Sequence, residues 1–180
     1  MPYKKRIIVS IVCFLILSFS FIYANLPFNS ETEINDLKAA FIYNFTKYIT
    51  WPDLERNKVF FIGVIGNSDI VNSLRRVAEK KFVKNIPIRV AHYQSVDDLR
   101  YCHILFISAS EKNQLDPILA KLKKRKTLTI GDTPGFCESG VMINFFMQED
   151  RLKFEMNLAK LESVGLKASS QIKKLARIVE

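Results

Sequence analysis

Hydrophobic positions along this chain switch between two periods, about 3.6 and 2 residues, and the order of the switches predicts the fold. The stretch 37–52, LKAAFIYNFTKYITWP, carries Phe41, Tyr43, Phe45, Tyr48 and Trp51 and halts at Pro52, which forbids further helix. A helix over 33–51 puts Ile34, Leu37, Phe41, Phe45 and Tyr48 on one face and turns Tyr43 to the other side. The run 59–65 (VFFIGVI) has no polar alternation, as suits a strand covered on both faces. Gly66 and Asn67 then turn the chain, and Ser68 is placed to cap a helix through about Lys80.

Residues 86–91 (IPIRVA) predict a second strand, placed at a sheet edge because Pro87 lacks a ladder donor. Residues 103–107 (HILFI) predict a third, buried strand, followed by a helix capped by Ser110 and striped by Leu115, Ile118, Leu119 and Leu122. A fourth strand covers 127–130, and the glycine-rich turn 131–140 follows. Strands 141–147 and 152–157 form a hairpin, and a last helix, bent near Gly165, covers 169–179 in its second half. The class is α/β: a single-domain sandwich of about six strands, mostly parallel, with a C-terminal antiparallel hairpin and helices on both faces.

The amino terminus follows another logic. Lys4, Lys5 and Arg6 precede a charge-free run over 7–22 and then Tyr23-Ala24. This is the order of a secretory signal peptide, with cleavage expected after Ala24; the alternative is an uncleaved signal anchor. The run is about 16 residues, shorter than the roughly 20 of a membrane span. Residues 1–24 are therefore read as a leader and 33–179 as the folded domain. Without the three leader cations, 24 basic residues face 18 acidic ones, a net charge of about +6. Export argues against a nucleic-acid partner. The basic run 121–126 is read as a solvated helix end. Cys102 and Cys137 lie past opposite strand ends, so no disulfide is expected between them.

Chemistry is sparse. The chain has no phosphate loop, dinucleotide fingerprint or nucleophile elbow. His103 stands next to Cys102, but neighbours on a strand point to opposite faces and cannot form a nucleophile–base pair. Two histidines without ligand spacing give no metal site, and no cofactor is expected. Two sets of polar residues remain. Asn67, Ser68, Ser108 and Asp132 sit at carboxyl ends of parallel strands, where ligands bind in such sheets; the same residues also suit turns and caps. In the hairpin, Glu155 alternates with Phe154 and Met156, so it is either a solvated outer-face residue or the charged centre of a binding patch. Phe145 and Phe146 are consecutive and cannot both face inward. One of them, with Tyr43, is a candidate exposed aromatic.

The blocks LKAAFIYNFTKYITWP, FFIGVIG, CHILFIS, TLTIGD, GVMINFF, RLKFEMNL and GLKASSQIKKLARIV, in this order, resemble the YfiR family over about 37–179. The resemblance implies an exported, periplasmic α/β protein without catalysis. It implies inhibition of an inner-membrane diguanylate cyclase, or a kinase, through its periplasmic sensor domain, lowering cyclic-di-GMP output and biofilm formation. It further implies an outer-membrane lipoprotein as a second partner and homodimers. Tyr43 and, on the hairpin blocks, Ile143, Glu155 and Leu161 are the positions expected to touch a partner. Family members with disulfides pair cysteines at the Cys102 and Cys137 positions with further cysteines, which this chain lacks. The second functional class is a periplasmic small-ligand binder using the strand-end crevice.

Overall fold

The computed structural model describes residues 31–52, 54–123 and 125–179. The leader expected over 1–24 lies outside them. Helix α1 (Glu31–Tyr48) leads into the short strand β1 (Ile49–Thr50) and a 3-10 turn at Leu54–Arg56. Then come β2 (Phe60–Ile65), α2 (Ile70–Lys80), β3 (Phe82–Val83), β4 (Ile86–Tyr93) and β5 (Ile104–Ile107). A 3-10 segment (Ala109–Gln114) opens into α3 (Leu115–Leu122), followed by β6 (Leu128–Gly131), β7 (Ile143–Gln148) and β8 (Arg151–Asn157). The chain ends with α4 (Leu158–Ser163), β9 (Lys167–Ala168), α5 (Ser170–Leu175) and β10 (Arg177–Val179).

Eight strands form the main sheet in the order β10-β8-β7-β6-β5-β2-β4-β3, and β1 pairs with β9 apart from it. The inner strands β4, β2, β5, β6 and β7 are parallel, and β7–β8 is an antiparallel hairpin. Its two-residue turn has Glu149 and Asp150 both at positive φ, the backbone whose twist suits a tight hairpin. The α/β sandwich with its parallel centre and C-terminal hairpin is as the sequence pattern predicts.

Four details differ from expectation. Pro87 does not mark the outermost strand: β3 folds back on β4, opposing Phe82 to Pro87, through a turn with Lys84 and Asn85 at positive φ. The segment 169–179 is not one helix. Its β-branched end leaves α5 and pairs parallel with β8 as β10, through Arg177↔Glu155 and Ile178↔Met156. With β3 and β10 the sheet has eight strands rather than six. Ser110 caps no helix, because a 3-10 segment intervenes before α3. The buried face of α1 is also rotated: Ala39, Ile42, Phe45 and Thr46 are buried, while Leu37 is 46% and Tyr48 37% exposed. The helix turns its Phe41 and Phe45 toward the hairpin, and that docking sets the rotation.

The core has two layers, one on each face of the sheet. Alternation along β5 sends Ile104 and Phe106 to one face and Leu105 and Ile107 to the other. The first layer joins α1, α2, α4 and α5 to the sheet, and the second joins α3 and Phe136. In the first, Phe45 stacks on Phe145 at 5.9 Å between ring centroids and meets Phe154 edge-on at 5.1 Å. Phe41 contacts the same two rings at 6.0 and 6.1 Å. At the amino end of β5, His103 is buried and stacked on Phe60 at 4.5 Å. Its Nδ1 accepts a hydrogen bond from the Phe61 amide at 3.0 Å.

Two predictions follow from this packing. Phe45→Ala should lower unfolding free energy by about 3–5 kcal/mol, and Leu37→Ala by less than about 1 kcal/mol, in urea titrations. Equal costs would contradict the rotation of α1. Burial drives the His103 pKa down to about 4, from an ordinary value near 6.5. Between those values the unfolded chain binds a proton that the folded chain refuses, so stability should fall as pH drops through that window and be fully recovered above it. His103→Gln should flatten this slope in urea midpoints taken across the same window. An unchanged slope would assign the acid sensitivity elsewhere.

Candidate functional site

The loop after β6 and the outer face of the hairpin enclose a cleft of about 470 Å³. Strand alternation explains its chemistry. Since Phe145, Phe154 and Met156 face the aromatic layer under α1, Asn144, Phe146 and Glu155 must point the other way. Glu155 is only 3% exposed, so the solvated reading of it does not hold. A carboxylate so buried needs partners. The Asn144 Nδ2 donates to Glu155 Oε1 at 3.1 Å, and the Arg177 guanidinium from β10 closes on Oε2. Asn144 Oδ1 in turn accepts from the Thr133 amide at 3.1 Å. The Arg177 guanidinium lies 4.1 Å from the centre of the Phe146 ring, a cation–π contact. One polar chain thus links the loop after β6 to β7, β8 and β10.

The loop is shaped to sit there. Gly131 ends β6 under the Phe136 ring; a Cβ on it would lie 2.5 Å from Phe136 Cδ2 and 3.2 Å from Asn144 Oδ1. Gly135 turns at a φ of 85°. The Cys137 carbonyl accepts from Asn157 Nδ2 at 3.0 Å, and the Val141 amide donates to the Phe136 carbonyl at 2.9 Å. Asp132, at the cleft rim, is held by Lys38 Nζ of α1 at 2.6 Å.

The expected site residues separate into several places. Asp132 and Glu155, predicted for different roles, line this one cleft. Ile143 and Leu161 are fully buried in the first core layer, so their side chains offer a partner no surface; they support the cleft from behind. Tyr43 is half-buried in a different groove, between α1 and α2, where its hydroxyl donates to the Phe82 carbonyl at 3.3 Å. In that groove Asp36 receives Ser73 and Arg76, whose hydrogen bonds hold its carboxyl below the usual carboxylate range.

Asn67, Ser68 and Ser108 do meet where strand order reverses between β2 and β5. There the Asn67 amide donates to Ser110 Oγ at 3.0 Å, and Ser108 Oγ and Ser110 Oγ are 2.8 Å apart. Ser110 Oγ donates to Glu111 Oε1 at 3.0 Å, and Ser68 Oγ accepts from the Ile70 amide at 3.4 Å. A Cβ on Gly66 would lie 2.5 Å from Ser108 Oγ and 2.6 Å from Glu111 Cγ. The chain's own hydroxyls and carboxylate fill this spot, and Glu111 disfavours an anion there.

Asp132, Glu155 and Arg177 of the cleft are each engaged by another side chain. Both Glu155 oxygens are engaged, so this carboxylate is a clamp and not a free base. The Cys137 and Cys102 thiols are free and buried, and burial pushes both up to about 12, so they stay protonated. Among the described residues no three His, Cys, Asp or Glu side chains gather as metal ligands. Sequence reasoning picked out Glu155 and the Phe145–Phe146 pair but missed Arg177, which it had put on a helix. The β-branched Ile178-Val179 after Arg177 was the available signal for a strand.

Removing Arg177 should strand Glu155. Arg177→Ala is expected to cost about 1–3 kcal/mol in urea unfolding, and Glu155→Gln in the same chain to return part of it. A cost no larger than that of Lys153→Ala, about 0.5 kcal/mol for an exposed residue, would contradict the clamp.

Comparison with known proteins agrees with this architecture. A conserved domain protein from Vibrio cholerae O1 biovar eltor superposes with a TM-score of 0.58 at 12% identity, over 81% of this chain and 60% of that one. The likeness shows the fold, and this chain spans less than two thirds of that protein's length. No curated protein matches. Among the described residues no helix is long and apolar enough to cross a membrane. The YfiR/HmsC-like profile matches residues 35–177, from α1 through both layers and the clamped cleft to the first residue of β10. This chain belongs to the YfiR/HmsC-like family.

Proposed function

We propose that the protein is a non-enzymatic periplasmic regulator that binds the sensor domain of an inner-membrane signalling protein, a diguanylate cyclase, and lowers cyclic-di-GMP output. Family membership supports the periplasmic, regulatory class. The observation that carries the binding reading is the cleft itself. Its charges are locked to one another, and an aromatic ring and an arginine stand together at its opening. Aromatic residues and arginine are the types enriched where protein partners meet. Met147 and Ile178 are exposed as well, but alternation turns their side chains to the opposite face of the sheet from Phe146 and Arg177. Among the described residues β10 is the outer strand of the sheet on this side, an edge to which a partner strand can add.

On this reading Phe146 and Arg177 contact the partner, Glu155 orients Arg177, and Ile143 and Leu161 hold the hairpin in place. An outer-membrane lipoprotein that competed for the same surface would relieve the inhibition without any chemical step.

The test pairs cells with purified proteins. Deletion should raise cellular cyclic-di-GMP, and the purified chain should bind the periplasmic domain of its cognate cyclase. Phe146→Ala should weaken that binding by about thirtyfold or more, the size of a hot-spot loss, while leaving the urea midpoint nearly unchanged. Unchanged cyclic-di-GMP together with no captured sensor domain would reject the cyclase reading.

A further inference from the structure

A second cleft, of about 320 Å³, lies at the amino ends of β5 and β6, away from the clamped cleft. Its apolar wall is Trp51 and Leu54, and its polar wall includes His103 and Arg125. Its volume is at the small end of the range for ligand sites, about 300–1,000 Å³.

The hydrogen bonds around His103 fix what its ring can do. Its carbonyl accepts from Trp51 Nε1 at 3.1 Å and from the Leu128 amide at 2.8 Å, and its amide donates to the Phe61 carbonyl at 2.9 Å. A backbone amide can only donate, so the bond from the Phe61 amide makes Nδ1 an acceptor. In the neutral ring the proton therefore sits on Nε2. Burial keeps the ring neutral at physiological pH, since its pKa is driven down to about 4. His103 is 1% exposed, and its Nε2 has no partner among the described residues. Arg125 Nη1 is likewise buried and without a partner. A native interior rarely leaves such donors unsatisfied, and two of them on one cleft wall call for an explanation.

Both orphaned groups are donors, and neither can accept. Arg125 also places a positive charge on this wall. From this we infer that the cleft binds a small organic anion, with carboxylate or phosphate oxygens on His103 Nε2 and Arg125 Nη1 and a compact apolar body against Trp51 and Leu54. The arrangement rests on no feature of the clamped cleft, so it is independent of the proposed partner. It would give the protein a chemical input at the opposite end of the sheet from its contact surface. Tyr101, edge-on to the His103 ring at 5.1 Å and half exposed, stands at the entrance.

With only two histidines in the chain, imidazole nitrogen NMR can read the site directly. The purified, histidine-labelled protein is titrated with benzoate and, separately, with inorganic phosphate. The His103 Nε2 resonance should move saturably with at least one of them, while that of His92 stays in place. Benzoate alone would indicate a carboxylate with an apolar body, and phosphate alone a phosphate-bearing ligand; either result supports the site. Arg125→Gln should weaken the response about tenfold, as loss of a charge-assisted hydrogen bond does. A His103 resonance unmoved by either probe at about 10 mM, ten times a weak dissociation constant of about 1 mM, would overturn the inference. So would an Arg125→Gln protein that is folded and responds like the parent. The shift in the unsubstituted protein stands as evidence even if that variant does not fold.

Discussion

The contact between Phe41 and Phe45 of α1 and Phe145 and Phe154 of the hairpin governs most of what lies around it. Each of the two helix rings lies within about 6 Å of both hairpin rings, and together they bury a large apolar area and pin the register of β7 and β8. Because side chains alternate along a strand, this choice sends Asn144, Phe146 and Glu155 to the opposite face. A buried glutamate on that face then requires a cation, and Arg177 supplies it by drawing the C-terminal segment alongside β8. The helix docking, the polar chain and the eighth strand are successive consequences of one packed cluster.

The same logic separates the two ends of the molecule. At the carboxyl end of β6, charges and amides satisfy one another, leaving a shaped rim of Phe146, Arg177 and the glycine-rich loop. At the amino ends of β5 and β6, His103 and Arg125 retain unpaired donors behind apolar walls. The first arrangement suits a macromolecular partner, whose binding energy comes from aromatic burial and exclusion of water. The second suits a small anion. The sheet between them is packed on both faces.

The alternating order of strands and helices was legible in the sequence because buried parallel strands such as 104–107 read as unbroken apolar runs. The hairpin was legible from the change to period 2. The face of α1 was not, because the helix is apolar around much of its girth: Ile42, counted outside the stripe, is buried, and Leu37, counted inside it, is not. The two-residue strands β1, β3 and β9 are too short for any period to appear. Glu155 stood out as a polar residue in an apolar hairpin. Its partner Arg177, 22 positions away, is a tertiary fact that no local pattern encodes. The strand-end hydroxyls at Ser108 and Ser110 look like an anion site in sequence, and only their contact with Glu111 shows how that space is used.

Hydrogen–deuterium exchange on the protein with and without the periplasmic domain of its cognate cyclase tests the assignment of the contact surface most directly. Protection is expected in the loop at 132–140, at Phe146 and Met147 on β7, and along β10, with the α1–α2 groove around Tyr43 unchanged. Protection confined to that groove, or a bound complex that leaves the hairpin and β10 exchanging as in the free protein, would contradict it.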